Sequence, residues 1–153
     1  MNETDADRLA RRVAAFMTAR DSASSGLGID LVSARTRHAV MAMSVRADML
    51  NGHGICHGGY VFTLADSACA FACCSEGQVM VLQSSTITYL NPAHAGDRLT
   101  ATATMTDLRG RTGIVDVAVE TAGATRIALF RGIVRSVGAS VLPPDPDDSP
   151  AAP

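Results

Sequence analysis

Between Tyr60 and Cys74 the chain runs Y-V-F-T-L-A-D-S-A-C-A-F-A-C-C, fifteen residues with one charge, Asp66. A helix that is apolar on every side is a buried helix, so this segment predicts a central helix that the rest of the domain must wall in. A carboxylate inside such a helix is costly unless something pairs with it or uses it. His57-Gly58-Gly59 stand directly before the run. Glycines at a helix entrance leave bare backbone N–H groups, which form a ready site for an anion or oxyanion.

The flanking sequence predicts the walls. Strand-like alternation appears in 39–45, where Ala39, Met41, Met43 and Val45 face one way, in 114–121, where Val115, Val117 and Val119 oppose Asp116 and Glu120, and strictly in Leu99-Thr100-Ala101-Thr102-Ala103-Thr104-Met105-Thr106. Such alternation marks half-buried antiparallel strands. Shorter strand candidates are 28–34, 79–90 and 126–137, with turns at Arg109-Gly110-Arg111-Thr112-Gly113 and around Gly123. Residues 4–20 read as an amphipathic helix capped by Thr4, with Leu9, Val13, Phe16 and Met17 on one face. Ser22-Ala23-Ser24-Ser25-Gly26 reads as a linker. The expected organisation is an N-terminal helix and linker over 1–24, a domain over 25–137, and a disordered Pro/Asp-rich tail over 138–153. Two strands, one long apolar helix and four more strands predict an α+β fold. Its five to six antiparallel strands form a curved sheet wrapped about the helix, the hotdog architecture.

Bulk properties exclude several classes. A net charge of −2 gives no electrostatic footprint for nucleic acid or an anionic membrane. The apolar run is too short, and carries an acid, for a membrane span. No secretory leader is expected at the acidic, polar start, so Cys56, Cys69, Cys73 and Cys74 read as reduced thiols in a cytoplasmic protein.

The stretch Asn51-Gly52-His53-Gly54-Ile55-Cys56-His57-Gly58-Gly59-Tyr60, followed by Asp66 within the apolar helix, resembles the PaaI type of hotdog acyl-CoA thioesterases of phenylacetic-acid degradation. Thr86-Ile87-Thr88-Tyr89-Leu90-Asn91-Pro92, Ala95-Gly96-Asp97 and Leu129-Phe130-Arg131-Gly132 look like further family markers. The similarity covers about residues 25–137. It implies that the N–H of Gly58 polarises the thioester carbonyl, that Asp66 acts as general base or nucleophile, and that Asn51 and His57 position substrate or water. It also implies an assisting hydroxyl on the following strand. Gln83, Ser84 and Ser85 compete for that place, with Ser84 preferred. No metal and no cofactor is implied, since coenzyme A belongs to the substrate. Phenylacetyl- and hydroxyphenylacetyl-CoA, or related aryl and medium-chain thioesters, are the substrates the resemblance favours.

Gly58 and Asp66 are eight residues apart, about 12 Å along a helix at 1.5 Å per residue. A general base must come within about 3 Å, or one water, of the reacting centre. One helix therefore cannot bring both groups to one carbonyl, whereas two antiparallel copies can, each site taking Gly58 from one chain and Asp66 from the other. A homodimer is the expected minimal unit, with a homotetramer, a dimer of dimers, as the expected assembly. Gly59, Tyr60, Phe62, Leu64 and residues 82–86 are candidate substrate contacts, and Arg109, Arg111 and Arg131 are candidates for the phosphates. His53, Cys56 and His57 lack a second matched ligand pair for zinc, and Cys56 lacks an orienting group for a thiol nucleophile. Two other readings are an acyl-CoA-binding hotdog protein without catalysis and a hotdog enoyl-CoA hydratase, whose Asp-x-Asn-Pro-x-x-x-His motif this chain lacks.

Overall fold

Thr4 caps the first helix, its hydroxyl accepting from the Asp7 N–H at 3.1 Å, in a computed structural model that describes residues 4–144. The elements run α1 (Asp5–Thr18), α2 (Ser22–Leu27), β1 (Ile29–Arg35), β2 (His38–Ser44), α3 (Gly58–Cys74), β3 (Gln78–Tyr89), β4 (Arg98–Arg109), β5 (Thr112–Thr121) and β6 (Arg126–Ser140). All six strands join one antiparallel sheet in the order β1-β2-β4-β5-β6-β3. This is the hotdog arrangement expected, with six strands, one long helix against the sheet and a short helix at the N-terminus.

Two local expectations change. The segment expected as a linker forms α2, because Asp21 Oδ1 accepts from the Ser24 N–H at 2.9 Å and Gly28, at φ 68°, ends the turn. β6 runs to Ser140, three residues past the expected boundary at 137. Most of the expected tail, 145–153, lies outside the described residues.

The alternation of β4 puts Leu99, Ala101, Ala103 and Met105 beneath α3 and its threonines on the outer face. Val115, Val117 and Val119 of β5 continue that inner layer, as do Ala128, Phe130 and Val134 of β6. Small residues on both surfaces let the helix lie close. At Gly132 an added Cβ would sit 2.8 Å from Leu82 and 3.0 Å from the Cys69 sulfur. Gly132→Ala is therefore expected to destabilise the fold by about 1–3 kcal/mol through overpacking. A lower urea midpoint at unchanged m-value would show it.

The four cysteines are buried and free. Among the described residues no helix is long and apolar enough to cross a membrane.

Candidate active site

A closed loop delivers the chain to the start of α3. Leu50 bridges Cys56, the Asn51 N–H donates to Ile55 O at 2.9 Å, and the Gly54 N–H donates to Asn51 O at 3.0 Å, with Gly54 at φ 74°. Asn51 Oδ1 accepts from the His53 N–H at 2.9 Å. Its amide nitrogen has no acceptor among the described residues. The Cys56 N–H donates to Ala93 O and the His57 N–H to Met49 O, each at 2.8 Å, fixing the approach to the helix.

His57 then caps α3. Its Nδ1 accepts from the Gly59 N–H at 3.0 Å, and its carbonyl accepts from the Tyr60 N–H at 3.0 Å. A ring nitrogen that accepts carries no proton, so the neutral imidazole holds its hydrogen on Nε2. Of the first three N–H groups of α3, only that of Gly58 has no acceptor among the described residues. It stands at the positive end of the helix dipole, and no acidic residue occupies the first turn.

Tyr89, at the end of β3, completes this corner. Its hydroxyl donates to Gly58 O at 2.9 Å, and a Cβ at Gly58 would lie 3.0 Å from its ring. Asn51, Cys56, Gly58, Tyr89, Pro92 and Ile127 line a cleft of about 440 Å³. Sequence reasoning gave Tyr89 no role. The only signal was its place in the Thr86–Pro92 marker, because contact with Gly58 depends on how β3 lies against α3.

The helix is not walled on every side. Val61, Leu64, Ala65, Ala68, Cys69 and Ala72 are buried, but Gly59 is exposed and Phe62, Thr63, Asp66, Ser67 and Ala70 are only half-buried. They form one strip that the single chain leaves partly open, and Asp66 lies on it. Its carboxylate has no hydrogen-bond or ionic partner among the described residues. Burial, with nothing to offset it, pushes the carboxyl above the usual carboxylate range. The neighbouring Ser67 hydroxyl meets that of Ser24 at 3.1 Å, tying α2 to α3. Gly58 and Asp66 share one unbroken helix, so their separation of about 12 Å along its axis stands.

The other candidates are dispersed. A bulge between Leu82 and Ser84 makes Gln83 the extra residue and reverses the alternation of β3. Ser84, opposite Ile133, consequently lies on the outer face, while Ser85, opposite Gly132, lies on the face toward α3. Tyr60 sets its ring edge-on to His57 at 6.4 Å, and Phe62 is edge-on to Phe130 at 5.5 Å. Leu64 is fully buried, so it belongs to the core and lines no cleft.

The arginines do not converge on Gly58. Arg131 forms a bidentate pair with Asp116 at 2.6 and 2.7 Å on the outer face, and this pair holds the Asp116 carboxyl below its usual range. Arg111 donates twice to Ser136 O, at 3.0 and 2.8 Å, and Arg109 pairs with Asp107 at 3.1 Å. Both lie at the β4–β5 turn, the end of the sheet remote from the entrance to α3. His53 is exposed, and no three metal-ligand side chains gather among the described residues. A larger recess of about 650 Å³ lies under α1 and α2 between Ser25, Leu31 and Phe71, away from the Gly58 cleft.

Residues 53–128 match the family model described as thioesterase superfamily. The chain is 42% identical to the acyl-coenzyme A thioesterase PaaI of Escherichia coli over 125 residues, which is 82% of this chain and 89% of the relative. Its fold matches the solved E. coli PaaI protein from the phenylacetic acid degradation operon at a TM-score of 0.87. That match has 40% identity and covers 89% of this chain and 99% of the other. A Streptococcus mutans protein solved with acetyl CoA bound is similar at a TM-score of 0.71 and 29% identity, covering 73% of this chain and 90% of the other.

Proposed function

The chain belongs to the thioesterase superfamily, and from that premise we propose that it hydrolyses acyl-CoA thioesters at sites shared between two antiparallel copies. The observation that carries this reading is the strip of α3. One unbroken helix carries an N–H at Gly58 without an acceptor and a carboxylate at Asp66 without a partner among the described residues, about 12 Å apart. The relatives supply the substrate class: E. coli PaaI is named an acyl-CoA thioesterase, and the S. mutans neighbour was solved with acetyl CoA. The PaaI resemblance favours phenylacetyl, hydroxyphenylacetyl and related aryl or medium-chain acyl groups.

In the proposed reaction the thioester carbonyl accepts from the Gly58 N–H. Asp66 of the partner subunit takes a proton from water as the water oxygen attacks the carbonyl carbon. The C–S bond then breaks, Asp66 returns its proton to the departing sulfur, and coenzyme A leaves as the thiol. In the alternative, the carboxylate attacks the carbonyl carbon, the C–S bond breaks to release coenzyme A, and water then opens the resulting anhydride. Label on Asp66 after one turnover in H₂¹⁸O would establish the anhydride route, since water attacking the thioester directly labels only the product acid. Asn51, through its amide nitrogen, and His57, through Nε2–H, are the proposed positioning donors. Ser85 is better placed than Ser84 to assist from the α3-facing side. Gly59, Tyr60 and Phe62 flank the shared strip.

β3 supports the assembly. It is a twelve-residue strand at a sheet edge, with Val81 and Tyr89 exposed on it and Leu90 exposed just past its end. A long open edge is a template for another strand. Pairing β3 with its copy would bring both α3 helices to one side, running oppositely, as a dimer that could itself pair. A nucleotide bound at Gly58 would meet Arg109 or Arg111 only from the partner subunit. Arg131→Ala is expected to leave KM for acyl-CoA unchanged, because its guanidinium is held by Asp116 on the outer face. A several-fold rise in KM would put Arg131 back at the substrate. The buried thiols suit a reducing compartment, the cytoplasm.

Release of free thiol from phenylacetyl-, benzoyl- and hexanoyl-CoA, run beside sedimentation of the purified chain, tests the reading. Hydrolysis by a dimer or larger species is expected. A fully active monomer would overturn the shared site, and tight binding without hydrolysis would favour a sensor.

A further inference from the structure

The open strip of α3 does not end at Asp66. Ala70 lies on the same side one turn further, about 6 Å along the axis, and it opens onto a second recess of about 360 Å³. Phe71, Cys74 and Met80 line its inner side, and Phe16 and Met17 from the end of α1 form its wall. The Cys74 thiol is directed to the Met80 carbonyl at 3.6 Å, and Val79 and Val141 extend the apolar lining, while Arg20 and Asp21, between α1 and α2, are its charged residues. The Arg20 guanidinium lies 3.7 Å from the Phe16 ring centroid, covering it from the solvent side.

We infer that this recess between the end of α1 and Ala70 of α3 receives the acyl group of the substrate, an apolar chain or aryl ring. The inference rests on the proposed thioesterase reading, because it takes the thioester carbonyl to sit beside Asp66. Two arms leave that carbonyl. The pantetheine arm carries the phosphates of coenzyme A and suits the polar entrance of α3. The acyl arm of an aryl or medium-chain thioester is apolar, and the recess one turn beyond Asp66 is lined inside by apolar side chains. Its volume falls within the range of small-ligand pockets. Phe16 and Met17 lie outside residues 53–128, the part matched by the superfamily model, whereas Asp66 and Ala70 lie within it. The segment before the family core thus sets which acyl group fits, while the core sets the chemistry.

The test is the ratio of kcat/KM for phenylacetyl-CoA to that for acetyl-CoA. Ala70→Phe fills the mouth of the recess and is expected to lower that ratio at least about tenfold, the scale on which apolar pockets discriminate. Phe16→Ala enlarges the wall at a half-buried position. It is expected to shift preference from hexanoyl- toward octanoyl-CoA, and it serves if melting shows Ala70→Phe misfolded. Unchanged ratios in folded variants of an active enzyme would overturn the acyl recess alone. A wild-type chain silent toward every acyl-CoA would overturn the thioesterase reading beneath it.

Discussion

Asp66→Asn is expected to lower kcat/KM for acyl-CoA at least about a hundredfold while making the fold more stable at neutral pH. The first effect follows from losing a general base, a contribution of about 10²–10⁴-fold. The second follows from burial. Asp66 is half-buried without a partner among the described residues, and its carboxyl is pushed above the usual carboxylate range. The folded chain therefore holds this proton more tightly than the unfolded chain does. Between the two pKa values the folded state binds more protons, so stability falls as pH rises through that window. The penalty is absent below the ordinary carboxylate range and fully present above the raised value. Asparagine removes it, so Tm should rise at neutral pH and match wild type in acid. Wild-type activity should fall away on the acid side at a higher pH than an ordinary carboxylate would dictate. Turnover near wild type in Asp66→Asn would end its assignment as the base.

Gly58→Pro is expected to cost about 10²–10³ in kcat, the loss of one oxyanion donor. Proline normally disrupts helices, but Gly58 is the first helical residue, where no intrahelical bond uses its N–H and proline is tolerated. The residue before it is also compatible, since His57 has φ −61° and ψ 132°, in the extended region that precedes proline. The one steric demand is on the Tyr89 ring, which a Cβ would approach to 3.0 Å. Tyr89 is half exposed and has room to yield. Gly58→Ala makes the same steric demand and keeps the N–H, so the ratio between the two variants isolates the donor. Equal activities in alanine and proline would show that the oxyanion is stabilised elsewhere.

The central helix and its acid were legible because an unbroken apolar run has few ways to be satisfied. β2, β4 and β5 were legible because one side of each is consistently apolar, whereas β1, β3 and β6 read only as shorter candidates. What the sequence hid were effects of packing and of single irregularities. The open strip holding Asp66 is invisible in composition, since Ala70 on it and Ala72 beneath it look alike. The extra residue at Gln83 reverses β3, so counting by twos from one end selects Ser84 where the folded strand turns Ser85 inward. His57 is an unusual cap, and only the 3.0 Å bond from Gly59 reveals it. Arg131 looked available for phosphate because nothing in the sequence announces its registry with Asp116.

The spacing of Gly58 and Asp66 also has a genetic consequence. If each site draws one group from each chain, Gly58→Pro and Asp66→Asn should be inactive separately yet complement one another. A mixed dimer carries one site with both lesions and one with neither. Random pairing of equal amounts would place half the chains in mixed dimers, restoring about a quarter of full activity. Two null alleles of this gene would then yield a functional enzyme when expressed together.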